Sequence, residues 1–152
     1  MYKVIFIKEY AMTRDIKLEN SNTGTIDYCF DDSSVVNNNG FGFMKIGVEY
    51  KCKIKLFGNV VKEIQDTSTV FCEILCRDVI IGKKSMIKVQ VENDIYYIPQ
   101  KKLENTINLK SFYFQFTRKD LIQVNNVIHA DLLWKKLLKT YCNKKLHKPE
   151  IT

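Results

Sequence analysis

Between Val48 and Phe57 the chain reads V-E-Y-K-C-K-I-K-L-F, and from Tyr50 to Leu56 apolar and cationic residues alternate without a break. Successive side chains of a strand point to opposite faces. The pattern therefore predicts a half-buried strand that hides Tyr50, Cys52, Ile54 and Leu56 and wets Lys51, Lys53 and Lys55. Gly47 before it and Gly58-Asn59 after it supply turn chemistry. Upstream, Val4 to Met12 reads as a strand with Val4 and Phe6 on one face and Ile5 and Ile7 on the other. Apolar residues on both sides predict a strand covered twice or one that closes a barrel. Ile16 and Leu18, set among Asp15, Lys17 and Glu19, give a second strand. The cluster Asn20-Ser21-Asn22-Thr23-Gly24 gives a turn. A third strand, Thr25 to Phe30, places Ile26, Tyr28 and Phe30 on one side. From Asp31 to Gly42, Asp31-Asp32-Ser33-Ser34 and Asn37-Asn38-Asn39-Gly40 flank only Val35-Val36, which reads as a mobile surface connection.

Downstream of the central ladder, residues 59–68 are polar and read as either a strand extension or a helical turn. Val70 to Leu75 and Asp78 to Ile81 read as strands, with Val70, Cys72 and Ile74 on one face, and Gly82-Lys83-Lys84 turns the chain. Met86 to Val91 and Ile95 to Pro99 form a hairpin joined at Asn93-Asp94. Val91 then faces Tyr96, Val89 faces Ile98, and Pro99 ends the strand at an edge. Ser111 to Thr117 stacks Phe112, Phe114 and Phe116 on one face, and Leu121 to Ile128 is a further strand. The last element has a different period. Over 129–146, Leu133, Trp134, Leu137, Leu138 and Tyr141 share one helical face, with Lys135, Lys136 and Lys139 on the other. Asn126 or Asp131 is positioned to cap it.

Many short strands followed by one amphipathic helix predict a mainly β fold. Its form is a small antiparallel barrel or strongly bent sheet, OB-like or similar, with the C-terminal α-helix packed on it and Trp134 between the two. A chain of 152 residues, 45% hydrophobic, fits one domain over 1–152. Within it, 1–45 carries the N-terminal strands and long loop, 46–128 the sheet or barrel core, 129–146 the packed helix and 147–152 a tail.

Charge adds a direction to this picture. The net charge is +7, and residues 101–152 supply all of it, with eleven Lys/Arg against four Asp/Glu. A one-sided excess is the electrostatic footprint of a polyanion or an acidic protein surface. The five cysteines, odd in number and irregularly spaced, fit free thiols in a reducing cytoplasm better than a disulfide framework. No signal-peptide core or membrane-length apolar run is present, so no membrane partner is expected.

Catalytic and metal motifs are weak. Cys72-x3-Cys76 is a single half-site far in sequence from His129 and His147, so no metal is assigned, and both cysteines read as core residues. Nucleophile elbows are absent, and Gly40-Phe41-Gly42 lacks the context of a dinucleotide site. Asp15, Glu19, Asp27, Asp31 and Asp32 read as solvated acids, and His129 as a backbone-bonded junction residue. A non-enzymatic binding protein without cofactor is the expectation. Single-strand binders pair a cationic groove with aromatic platforms. Lys51, Lys53 and Lys55, with Tyr113 flanked by Lys110, Arg118 and Lys119, and the terminal Lys135, Lys136 and Lys139, are the candidate nucleic-acid contacts. The rival reading is a protein-interaction module: an inhibitor, an immunity-type partner or an assembly subunit using its aromatic and basic surface.

Overall fold

The computed structural model describes residues 1–36, 40–104 and 108–133. The strands are β1 (Tyr2–Glu9), β2 (Arg14–Asn20), β3 (Ile26–Asp31), β4 (Glu49–Tyr50), β5 (Cys52–Val61), β6 (Thr69–Ile81), β7 (Lys84–Val91), β8 (Asp94–Pro99), β9 (Ser111–Val124) and β10 (Val127–Ile128). One helical turn, α1 (Ser33–Val36), follows β3, and 3-10 turns cover Gln100–Leu103 and Ala130–Leu133. Strands β5, β8, β7, β6 and β9 close on one another as a five-stranded barrel. The seam between β5 and β8 is a parallel contact at Lys55 and Tyr97.

The chain is arranged around β9. Along one edge it pairs with β5 from Tyr113 to Val124. Its other edge is shared: residues 111–115 pair with β6 and complete the barrel, and Lys119 and Asp120 then pair in parallel with β3. That second contact attaches an antiparallel layer in the order β3-β2-β1-β4. A single core runs through both parts, with Val4, Ile16 and Leu18 from the layer and Ile54, Leu56, Val89, Ile98, Phe114 and Leu121 from the barrel. Each such side chain is worth about 1.5–3 kcal/mol when fully buried. The alternation from Tyr50 to Leu56 holds: Ile54 and Leu56 are buried, Tyr50 nearly so, and the lysines lie on the opposite face.

Bulges correct several sequence expectations. A register shift between Val4 and Phe6 turns Val4 inward and leaves Phe6 55% exposed, so β1 has one wet face and lies outside the barrel. In β9 the register skips Thr117 and Ile122. Phe112, Phe114 and Phe116 therefore face the core, Arg118 faces out, and Lys119 and Leu121 face in again. Gly58 and Asn59, expected as a turn, run on inside β5 as far as Val61, and Gly58 sits beside the first skip, where a Cβ would lie 2.0 Å from the Gln115 carbonyl oxygen. Residues 70–75 and 78–81 belong to one strand, β6, whose irregularities around Cys76 send Cys72 inward and Cys76 to the surface. The β7–β8 turn is Glu92-Asn93, with Glu92 at φ 55, so Val89 faces Tyr96 and Ile87 faces Ile98. Asp94 is thereby held at the start of β8, where it accepts hydrogen bonds from the Thr23 and Thr25 hydroxyls (2.6 and 2.7 Å).

The 31–42 connection is anchored at its described ends, contrary to a free surface loop. Asp31 is buried against Arg14 (2.8 Å), and Arg14 also donates to the Phe41 carbonyl. Ser33 Oγ accepts the Phe41 N–H, and the Phe41 ring is fully buried. A second apolar cluster, Ile81, Met86, Tyr97, Ile122 and Leu132, lies on the outside of the barrel beneath the 130–133 turn. In place of the expected helix start, residues 130–133 form a 3-10 turn, and no C-terminal α-helix is seen among the described residues. Residues 134–146, with Trp134, Lys135, Lys136 and Lys139, lie outside them. No helix among the described residues is long and apolar enough to cross a membrane.

Candidate nucleic-acid interface

Outward-facing positions of β1, β2, β3, β9 and β5 form one strip of alternating rings and cations. Phe6 lies opposite Lys17, and Lys17 opposite Tyr28, which is 66% exposed. Two residues along β3, Phe30 stacks on the Arg118 guanidinium, whose other side meets Phe57 (4.5 Å to each ring centroid). Lys17 lies over Tyr28 (5.6 Å) and Lys55 over Phe57 (5.8 Å). Such contacts hold the cations at the ring faces. Asp120, at the centre, accepts a bidentate pair from Arg118 and lies 3.7 Å from Lys55 Nζ. The hydrogen bond from Arg118 to Asp120 pushes the Arg118 pKa up still further, so this cation is permanent.

The sequence-derived candidates divide among four places. Lys51 and Lys53 stand at the edge of a cleft of about 490 Å³, Lys53 with its ammonium over the Tyr97 ring (5.8 Å). Lys55 and Arg118 belong to the strip. Tyr113 is half-buried at the far end of β9, tilted against the exposed Phe71 (5.4 Å), and Lys110 is exposed just before the same strand. Lys119 faces the other way. Its ammonium pairs with the buried Asp27 carboxylate, which also accepts the Tyr96 hydroxyl (2.9 Å), so it is an interior charge. Lys135, Lys136 and Lys139 lie outside the described residues. Missing from the sequence reading were Phe6, Lys17, Tyr28, Phe30 and Phe57, because their exposure depends on bulges and on β3 burying its acids. The buried face of β3 is Asp27, Cys29 and Asp31, and its apolar Ile26, Tyr28 and Phe30 are the outer face. The acids at 27 and 31 are thus ion-paired interior groups, unlike the solvated ones expected.

Other constellations are structural. His129 is buried, with Nε2 2.6 Å from Asp32 Oδ1 and Nδ1 accepting the Asp131 backbone N–H (3.1 Å). Asp131 completes a three-residue group near this ring. Both ring nitrogens are engaged in hydrogen bonds, so the group fits a clamp between α1 and the 130–133 turn better than a metal centre. Burial pushes the Cys52 and Cys72 thiols up to about 12 and raises Cys29 well above its ordinary value. These three are poor thiolates, and only Cys76 among the described cysteines is exposed. No family model matches the sequence, and comparison with the curated proteins and the solved structures gives no match.

Proposed function

We propose that this is a non-enzymatic protein that binds single-stranded nucleic acid along the Phe6–Tyr28–Phe57 strip. The carrying observation is that exposed rings alternate with cations on one continuous face. Bases stack on such rings without regard to sequence, and the cations between them meet the phosphates. Lys3, Lys8, Lys17, Lys55 and Arg118 on this face stand among Asp15, Glu19, Asp32, Glu49 and Asp120, so its charge is mixed and the exposed rings carry the reading more than a net positive field. A closed five-stranded barrel also suits an OB-like module, the architecture that offers its outer strands to oligonucleotides. Free thiols at Cys29, Cys52, Cys72 and Cys76 suit a reducing cytoplasm.

The test is a variant series read by fluorescence anisotropy with a labelled oligonucleotide. Tyr28→Ala with Phe57→Ala should weaken binding about tenfold or more, since each stacked base is worth about 1–3 kcal/mol. Lys51, Lys53 and Lys55 changed together to Ala should lower affinity and flatten its salt dependence. Unchanged affinity in both variants would remove the reading.

A second reading, docking of a protein partner, has one observation in its favour. Phe71 and Tyr113 pair on the opposite end of the barrel, beside Val61 and away from the cationic strip. An apolar interface there would respond little to salt, which separates the two readings.

A further inference from the structure

The cleft beside the strip has its own chemistry. Its walls come from both parts of the fold: the start of β1 and the β2–β3 turn on one side, and β5, β7, β8 and the β9–β10 turn on the other. Lys51, Lys53 and Lys88 line it and, among the described residues, no carboxylate does. Asp94, next to the lining Asn93, is occupied by the Thr23 and Thr25 hydroxyls. Three ammonium groups around one concavity focus a positive field on whatever enters. Most of the remaining polar lining is amide, Asn93, Asn126 and Gln123 among others, beside Thr23 and Tyr97. An amide carries both donors and an acceptor, the complement of a base edge. A volume near 490 Å³ is that of a small-ligand site.

We propose that this cleft is a nucleotide subsite in which Lys51, Lys53 and Lys88 hold phosphate and the amides of Asn93, Gln123 and Asn126 bond the base edge. The inference deepens the strand-binding reading, because a strand lying on the strip and continuing past Lys55 arrives at Lys53. Where the strip is indifferent to sequence, the amide-lined cleft is where preference for a base is set.

The intact ¹⁵N-labelled protein is titrated with the four nucleoside monophosphates, with the matching nucleosides and with inorganic phosphate. Saturable amide shifts confined to residues 51–53, 88, 93 and 123–126, stronger for at least one nucleotide than for phosphate or nucleoside, are expected. Lys88→Glu, a surface change, should weaken that nucleotide about tenfold or more. Equal binding of phosphate and nucleotide would overturn the base-reading site and leave an anion site. Shifts elsewhere, or none, would overturn it altogether. Oligonucleotide binding is measured on the same sample. Binding of the strand without any nucleotide shift at the cleft sinks the subsite alone, and nucleotide shifts without strand binding sink the strip alone.

Discussion

Arg118 and Lys119 are sequence neighbours with opposite fates, and a single skipped residue, Thr117, decides which one meets solvent. Lys119 forms a buried pair with Asp27, and removing one member of such a pair strands the other charge. Lys119→Met should therefore cost about 3–5 kcal/mol in urea unfolding, and adding Asp27→Asn should recover part of it. A double variant no more stable than the single would show that the pair is not coupled. The thiols set a second expectation. Cys52 and Cys72 have pKa values of about 12 in the fold against an ordinary 9.0, and Tyr2 and Tyr96 are likewise raised by burial. Below pH 9 folded and unfolded chains hold the same thiol protons. Above it the unfolded chain releases them and the fold does not, so stability falls between pH 9 and 12. Each linked proton steepens the loss by about 1.4 kcal/mol per pH unit. Urea midpoints that stay level through this window would contradict the burial of these groups.

At the scale of elements, the sequence was readable wherever strict alternation and turn residues coincide. The ladder from Tyr50, the strand with Ile16 and Leu18, the turn at Asn20–Gly24 and the inward row Phe112, Phe114 and Phe116 all emerged from period and turn chemistry. Bulges were not legible, because an extra residue leaves composition unchanged and only inverts the facing of the residues beyond it. Phe6, Cys76 and Lys119 were misplaced for that one reason. The β7–β8 hairpin was misaligned by two residues in its pairing, a shift that keeps facing parity and so leaves the apolar pattern intact. What selects the true register is Asp94 meeting two hydroxyls from a turn about seventy residues earlier. Two glycines test this level. Gly58→Ala drives a Cβ into the Gln115 carbonyl and should cost about 1–3 kcal/mol, chiefly by disturbing the β5–β9 pairing. Gly24→Ala has open space but φ +78, so it should cost only about 1 kcal/mol. Equal effects in urea unfolding would argue against the tight approach at Gly58. Phe41→Ala should cost about 3–5 kcal/mol if the long connection is anchored through its ring.

For the whole molecule, the barrel was legible from strand density, but the attachment of the β3-β2-β1-β4 layer to β9 was not. Non-local pairing, such as Cys29 with Lys119, leaves no periodic trace in either segment. The same fact hid most of the proposed interface, which needs β1, β2, β3, β9 and β5 side by side. Charge counting pointed to a polyanion but drew on residues 101–152, of which Lys135, Lys136 and Lys139 lie outside the described residues. Apart from Arg118, the strip draws on cations earlier in the chain, Lys3, Lys8, Lys17 and Lys55. The central claim is that this face recognises single strands through rings and phosphates together. The most direct measurement is anisotropy of a labelled single-stranded oligonucleotide with the intact protein across a salt series. Neutralising about four phosphates predicts binding at low salt, with log affinity falling linearly with log salt at a slope near about −3. No binding at low salt, or an affinity level across the series, would contradict it.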